Sequence, residues 1–431
     1  MSPRLVLRGA RSPGDIAIVD GVIDAVGTVE ARPGDQVVSV DGDVITAGFV
    51  NTHHHLYQWM TRGRAVGCDL FGWLTELYPV WGRLGVDDVR IAARVGIAEL
   101  ARSGCTTVFD HHYLVPRGDV EVFDAIVGAA AEVGTRLQLS RGSMDLGESQ
   151  GGLPPDHVVE DREAILSHTE SLLLHHADDP MVDVVVAPCS PFSVTPELMT
   201  ESAALARRLG ARLHTHLAET IEEEQDALER FGRRPVELLD EWGWIADDVW
   251  VAHGIHFDDA EVALLGSRGV GVGHCPSSNA RLAAGMCRVG DLEAAGAPVG
   301  LGVDGVASNE VGRLFPELRQ SLYVARLRTG DATSFGSGDA LRLATEGGAR
   351  CIGRPELGRL EPGAPADLAV WPMADVADIP DPLDALVFGP DRLVRHLFVA
   401  GRQVVAEGTV LGLDLDVAHR DLAAAAQRLW P

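Results

Sequence analysis

Eight short runs rich in β-branched residues recur through the middle of this chain. They lie at Val44 to Val50, Thr106 to Phe109, Arg136 to Ser140, Val182 to Ala187, Arg212 to Leu217, Val249 to Ala252, Val270 to Gly273 and Val299 to Val303. Most are separated by stretches rich in Ala, Leu, Arg and Glu with helical spacing, such as Val89 to Arg102 and Glu197 to Leu209. Few architectures satisfy eight strand–helix alternations over about 250 residues. Parallel strands need crossover connections, and eight of them with helices outside close into a (β/α)8 barrel. The two chain ends have a different texture. Leu5 to Leu7, Ile16 to Val19, Val22 to Val26 and Val37 to Val40 are short strands broken by turns such as Asp20-Gly21, and similar runs return at Asp367 to Val370 and Leu397 to Val405. The expected fold is therefore α/β, a TIM-like barrel over residues 49–359. A small β-sandwich is expected from residues 1–48 and 360–431, the latter closing in a C-terminal helix.

Composition narrows the function classes. Hydrophobic residues make up 46% and charged residues 23%, the balance of a globular chain. No apolar run reaches the roughly 18 residues of a membrane span, and the first residues carry arginines without an apolar segment, so a cytoplasmic protein with no membrane partner is expected. The net charge of −27 repels phosphate backbones, which argues against a polymeric nucleic acid as ligand. Six cysteines without a C-x-x-C pair read as reduced, mostly buried thiols. A homo-oligomer is compatible with all of this. All 36 basic residues are arginine. With no lysine, Schiff-base chemistry, a P-loop lysine and a carbamylated lysine bridging two metals have no residue to use.

Several of the runs end in metal-ligand residues. His53 and His55 follow the first run and, two apart on an extended chain, share a face that His54 does not. His216 ends the fifth run, His253 the sixth and Asp304 the eighth. The C-terminal ends of barrel strands form the catalytic mouth, so these nitrogen and oxygen donors converge on one rim. Imidazoles with a carboxylate suit Zn2+, or Fe2+ as second choice. His214 reads as a hydrogen-bonded residue below His216, and His111 or His112 as a candidate to orient substrate. Glu219, three residues past His216, is placed to carry a proton between a metal-activated water and a substrate nitrogen. Gly300 to Gly305 satisfies G-x-G-x-x-G, but at the last strand rather than in an opening βαβ unit, so dinucleotide binding is discounted.

A flat heterocycle fits the remaining pattern. Tyr57, Trp59, Phe71, Trp73, Tyr78 and Trp81 crowd the segment between the first two runs, in a chain with only 8 Trp and 4 Tyr. They read as a lid with a stacking face or as the packing of an inserted helix. Gln58, Trp81, Arg141 and Cys189 are the candidates to bind the heterocycle.

The motifs Asn51 to His55, His216 to Glu219, Ala252 to Gly254, His274 to Asn279 and Gly302 to Gly305 together resemble the amidohydrolase superfamily, in its mononuclear deaminase and triazine-hydrolase branch, over essentially the whole chain. Thr52 to Gln58, Leu77 to Trp81, Arg141 to Met144 and Ala187 to Val194 resemble the members that deaminate oxidised purines. The resemblance implies one divalent metal on His53, His55, His216 and Asp304, with Glu219 as proton shuttle and His253 holding the attacking water. Asp304 is then both ligand and proton acceptor. It implies hydrolytic deamination of a small purine-like heterocycle, with a pterin or an s-triazine as the alternatives.

Overall fold

The computed structural model describes residues 4–430. Eight parallel strands form one sheet in chain order: Phe49–Asn51, Cys105–His112, Arg136–Ser143, Val182–Pro188, Arg212–Leu217, Val249–His253, Gly271–His274 and Val299–Leu301. Thr52 N donates to Leu301 O at 2.9 Å, joining the eighth strand to the end of the first. Helices such as Val86–Arg102, Glu121–Val133 and Pro196–Leu209 bury their apolar faces on the outside of this sheet. The strands, buried on both sides, are the near-continuous apolar runs from which the barrel was expected.

The first run differs from expectation. Val44 to Val50 is two strands rather than one, Val44–Ala47 and Phe49–Asn51, split at Gly48. Val44–Ala47 pairs antiparallel with Leu368–Trp371 outside the barrel, while Phe49–Asn51 opens the barrel. A side chain on Gly48 would collide with Thr106 of the neighbouring strand, so only glycine lets the chain change sheets here. The eighth strand is also shorter than its apolar run, stopping at Leu301, which leaves Val303 and Asp304 free to turn over the rim.

Both chain ends supply the smaller sheets. Leu5–Arg8, Asp15–Val19, Val22–Gly27 and Gln36–Ser39 make a four-stranded sheet. Val44–Ala47, Leu368–Trp371, His396–Val399, Arg402–Ala406 and Thr409–Val410 make a five-stranded antiparallel one. Leu7, Ile16, Ile18, Ile45, Leu368, Val370 and Phe398 pack between them as a separate core. The run Leu397 to Val405 is a hairpin, turning at Ala400 and Gly401 with φ of 47° and 75°. That turn is a second copy of the device at Asp20-Gly21, whose φ values are 47° and 82°.

Candidate active site

The C-terminal rim brings the distant donors together, and their hydrogen bonds settle which nitrogen of each imidazole carries the proton. His55 Nδ1 lies 2.8 Å from the His111 carbonyl and His216 Nδ1 lies 2.6 Å from that of Cys189. A carbonyl only accepts, so both Nδ1 atoms are protonated and both Nε2 atoms present lone pairs. Those two Nε2 atoms face each other at 3.1 Å. His53 follows the same logic one step removed. His214 Nδ1 donates to Trp250 O at 3.0 Å, leaving His214 Nε2 to accept from His53 Nδ1 at 3.0 Å. His53 Nε2 is then a third lone pair, buried and without a hydrogen-bond partner.

Asp304 completes the cluster. Its Oδ1 stands 3.4 Å from His53 Nε2 and 3.2 Å from His55 Nε2. Its Oδ2 accepts from Ser278 Oγ at 2.6 Å and from Ser308 Oγ at 3.1 Å. Its Oδ1 also accepts from Gly305 N at 2.7 Å, and these three donors support its charge against burial. Burial pushes His53 down to about 3 and His216 well below an ordinary imidazole. Three neutral lone pairs and a carboxylate converge where no proton donor stands between them. Donor atoms within 4.8 Å of one another fall into two groups that share His53, one with His55, His111 and His216 and one with His253 and Asp304, and such donors fit a divalent cation.

Glu219 and His253 stand beside this cluster. Glu219 Oε2 is 3.5 Å from His253 Nε2, and His253 Nδ1 lies 3.0 Å from Asn279 Oδ1. Burial, reinforced by the charge of Asp304, pushes Glu219 up to about 8. One carboxyl therefore keeps its proton near neutrality while its neighbour Asp304 stays ionised. Two carboxyl groups driven apart in this way can serve as an acid and a base.

These groups open into a small cavity at the rim of the barrel. Leu70, Trp73, Leu74, Phe192 and Leu282 form its apolar wall, and Tyr78, Tyr113 and Cys189 add polar edges beside His55, His216, Glu219, His253 and Asp304. The aromatic segment thus does both things expected of it. Trp73 and Tyr78 of the helix Leu70–Trp81 face the cavity, whereas Tyr57 and Trp81 pack edge to face at 5.3 Å behind it.

Of the four residues expected to bind a heterocycle, only Cys189 lines the cavity. Trp81 is fully buried and donates through Nε1 to Thr61 Oγ1, so it is core. Gln58 turns under the eighth strand's loop, its Oε1 accepting from Ala307 N at 3.3 Å. Arg141 points out of the barrel, with two hydrogen bonds of 2.9 and 2.7 Å to Glu160 and its guanidinium over Phe123. The parity of the strand carried this signal. Leu137, Leu139 and Arg141 share one face, and the two leucines belong to the core beneath the helices. Removing Arg141 would leave Glu160 largely shielded from water and unpaired. Arg141→Ala is therefore expected to lose about 3–5 kcal/mol of stability in chemical denaturation while KM changes little, and a raised KM at unchanged stability would restore it to the site.

His111 is a candidate to orient substrate that the sequence offered, whereas Ser278, Ser308 and Tyr113 were not singled out there. His111 donates through Nε2 to Ala187 O at 2.9 Å and stacks on His216, which leaves its Nδ1 near the lone-pair cluster. Ser278 and Ser308 steer Asp304, and Tyr113 stands edge-on to His55. Hydroxyls and single aromatics carry no spacing signature of their own, so only the assembled rim identifies them.

Residues 44–404 match the model of the amidohydrolase family, and the chain belongs to that family. It is 46% identical over 430 residues to the 8-oxoguanine deaminase of Pseudomonas aeruginosa, covering 97% of this chain and 96% of that one. An isoxanthopterin deaminase from an unknown prokaryotic organism is 37% identical, with 97% and 92% covered. Among solved structures, the atrazine chlorohydrolase of Arthrobacter aurescens complexed with zinc is similar at a TM-score of 0.92 and 29% identity, with 98% and 100% covered. The chain is a hydrolase acting on C–N bonds. No helix among the described residues is long and apolar enough to cross a membrane.

Proposed function

We propose that this protein is a metal-dependent deaminase that converts 8-oxoguanine and water to urate and ammonia. The observation that carries the reading is the pairing of a proton-free lone-pair cluster with a protonated carboxyl on one small, aromatic-walled cavity. His53, His55, His216 and Asp304 would hold the cation, and Zn2+ suits three imidazole nitrogens and a carboxylate, with Fe2+ as second choice. When bound, such a cation makes a nucleophilic water available at neutral pH.

The side chains do the rest. Asp304, ionised and steered by Ser278 and Ser308, accepts the proton of the attacking water. His253, whose Nδ1 is engaged by Asn279, presents Nε2 to hold that water in line. Glu219 delivers its proton to the ring nitrogen beside the carbon under attack, so the ring takes up charge without becoming an anion. Asp304 then passes the proton it took from the water to the exocyclic nitrogen, the hydroxyl on the tetrahedral carbon returns a proton to Glu219, and the C–N bond breaks so that ammonia leaves and a carbonyl remains. Trp73 supplies an aromatic face for the ring, and the apolar wall excludes bulk water from the reacting carbon. The catalytic and ligand roles are our assignment, as is the cytoplasmic setting, which the six free cysteines favour.

The relatives favour two further heterocycles, a pterin and an s-triazine. Ammonia release from 8-oxoguanine, isoxanthopterin and a hydroxyaminotriazine separates the three. We expect kcat/KM to be highest for 8-oxoguanine, and a pterin or triazine turned over faster would replace it as substrate.

A further inference from the structure

We propose that Glu223 is a positioning residue for the reaction, one that holds Glu219 at the cavity by gripping the backbone of the turn between them. The inference rests on the reading of Glu219 as the proton carrier. Thr220-Ile221-Glu222-Glu223 opens the helix Ile221–Phe231 with the S/T-x-x-E pattern of a capping box. In that motif the glutamate returns to the backbone N–H of the capping residue. Half of the motif forms here, since Thr220 Oγ1 accepts from Glu223 N at 3.4 Å. The other half does not, because the Glu223 carboxylate passes Thr220 and takes two amides further upstream. Its Oε1 accepts from Ala218 N and its Oε2 from Glu219 N, each at 2.9 Å.

The turn is shaped for that grip. Ala218 lies in the left-handed region at φ 52°, which an alanine rarely adopts, and this aims two successive N–H groups into one concavity. A carboxylate is the group that fills such a nest. Glu223 is only 1% exposed, whereas its neighbour Glu222 faces solvent. The Glu219 carboxyl makes no side-chain hydrogen bond among the described residues beyond its 3.5 Å approach to His253. Its position is therefore set by its own backbone, which Glu223 grips through two amides while Ile255 N and His256 N donate to Ala218 O at 2.9 and 3.0 Å from the other side. A proton donor displaced by about 1 Å loses on the order of 10²-fold in rate.

The test compares Glu223→Gln, Glu219→Gln and the double variant in the metal-loaded full chain, with bound metal, Tm, kcat and KM measured for each. Glutamine keeps one acceptor but sets an NH2 against the second amide. We expect E223Q to bind metal as the wild type does, to keep KM within about threefold and to lose roughly 10- to 100-fold in kcat. The double variant is expected to be no slower than E219Q alone, because a residue that acts through Glu219 has nothing left to act on. Wild-type kcat in E223Q beside an inactive E219Q overturns the proposal, as does an equal loss from E223Q on both backgrounds, or loss of metal. Wild-type kcat in E219Q is a separate outcome that removes the reading of Glu219 itself. If E223Q does not fold, Glu223→Asp, which keeps the charge but is one methylene shorter, takes its place with a loss in kcat expected in the same direction.

Discussion

Glu219→Gln is expected to bind metal as the wild type does and to turn over about 10² to 10⁴-fold more slowly. Glutamine has nearly the volume of glutamate, so the apolar wall and the 3.5 Å neighbourhood of His253 can persist. What disappears is the exchangeable proton. The wild-type carboxyl is buried beside the negative charge of Asp304 and is pushed up to about 8. An acid must be protonated to donate, so the wild-type rate should be sustained at neutral pH and fall as pH rises through that range. E219Q should lose this alkaline limb together with its activity. Steady-state kinetics across pH, with metal content measured on the same samples, check both parts. Unchanged turnover would remove Glu219 from the chemistry, and lost metal would make it part of the cation site instead.

His216→Ala is expected to lose the metal and, with it, all measurable deamination. His216 holds its ring by donating to Cys189 O at 2.6 Å and stacks on His111 and His253 at centroid distances of 4.7 and 5.6 Å. Its Nε2 is the only donor that the fifth strand sends to the cluster. Without it, the two imidazoles that follow the first strand and the carboxylate of Asp304 remain, one donor fewer than the proposed set. The stability readout is as direct as the activity. A cation that binds only the folded chain stabilises it by about 2.7 kcal/mol when its free concentration is a hundred times Kd. Zinc should therefore raise the Tm of the wild type and leave that of H216A unmoved. Full occupancy in H216A would mean that the ligand set is different.

The convergence of the proposed ligand residues on one rim could be read without coordinates because strand geometry converts sequence position into direction. His53 and His55 must share a face, and His216, His253 and Asp304 end runs whose shared orientation sends them to one rim. The roles of Gln58, Trp81 and Arg141 could not be read so directly. Trp73 and Trp81 belong to the same helix, and only its docking decides that one ring faces the cavity and the other the core. Arg141 was in principle legible from its parity with Leu137 and Leu139, but its proximity to the mouth outweighed that signal. The split at Gly48 was hidden because both halves of the run are equally apolar, and a single glycine in such a run does not announce a change of sheet. Glu223 was hidden by its setting, one glutamate in a run of three that only the left-handed turn at Ala218 draws inward.

The most direct test is crystallographic. Crystals of the zinc-loaded protein, measured on both sides of the zinc absorption edge, locate the cation without reference to activity. The expected result is one anomalous peak roughly 2.0–2.2 Å from Nε2 of His53, His55 and His216 and from a carboxylate oxygen of Asp304. A map with no peak among these four residues, or with its zinc bound elsewhere, would contradict the account.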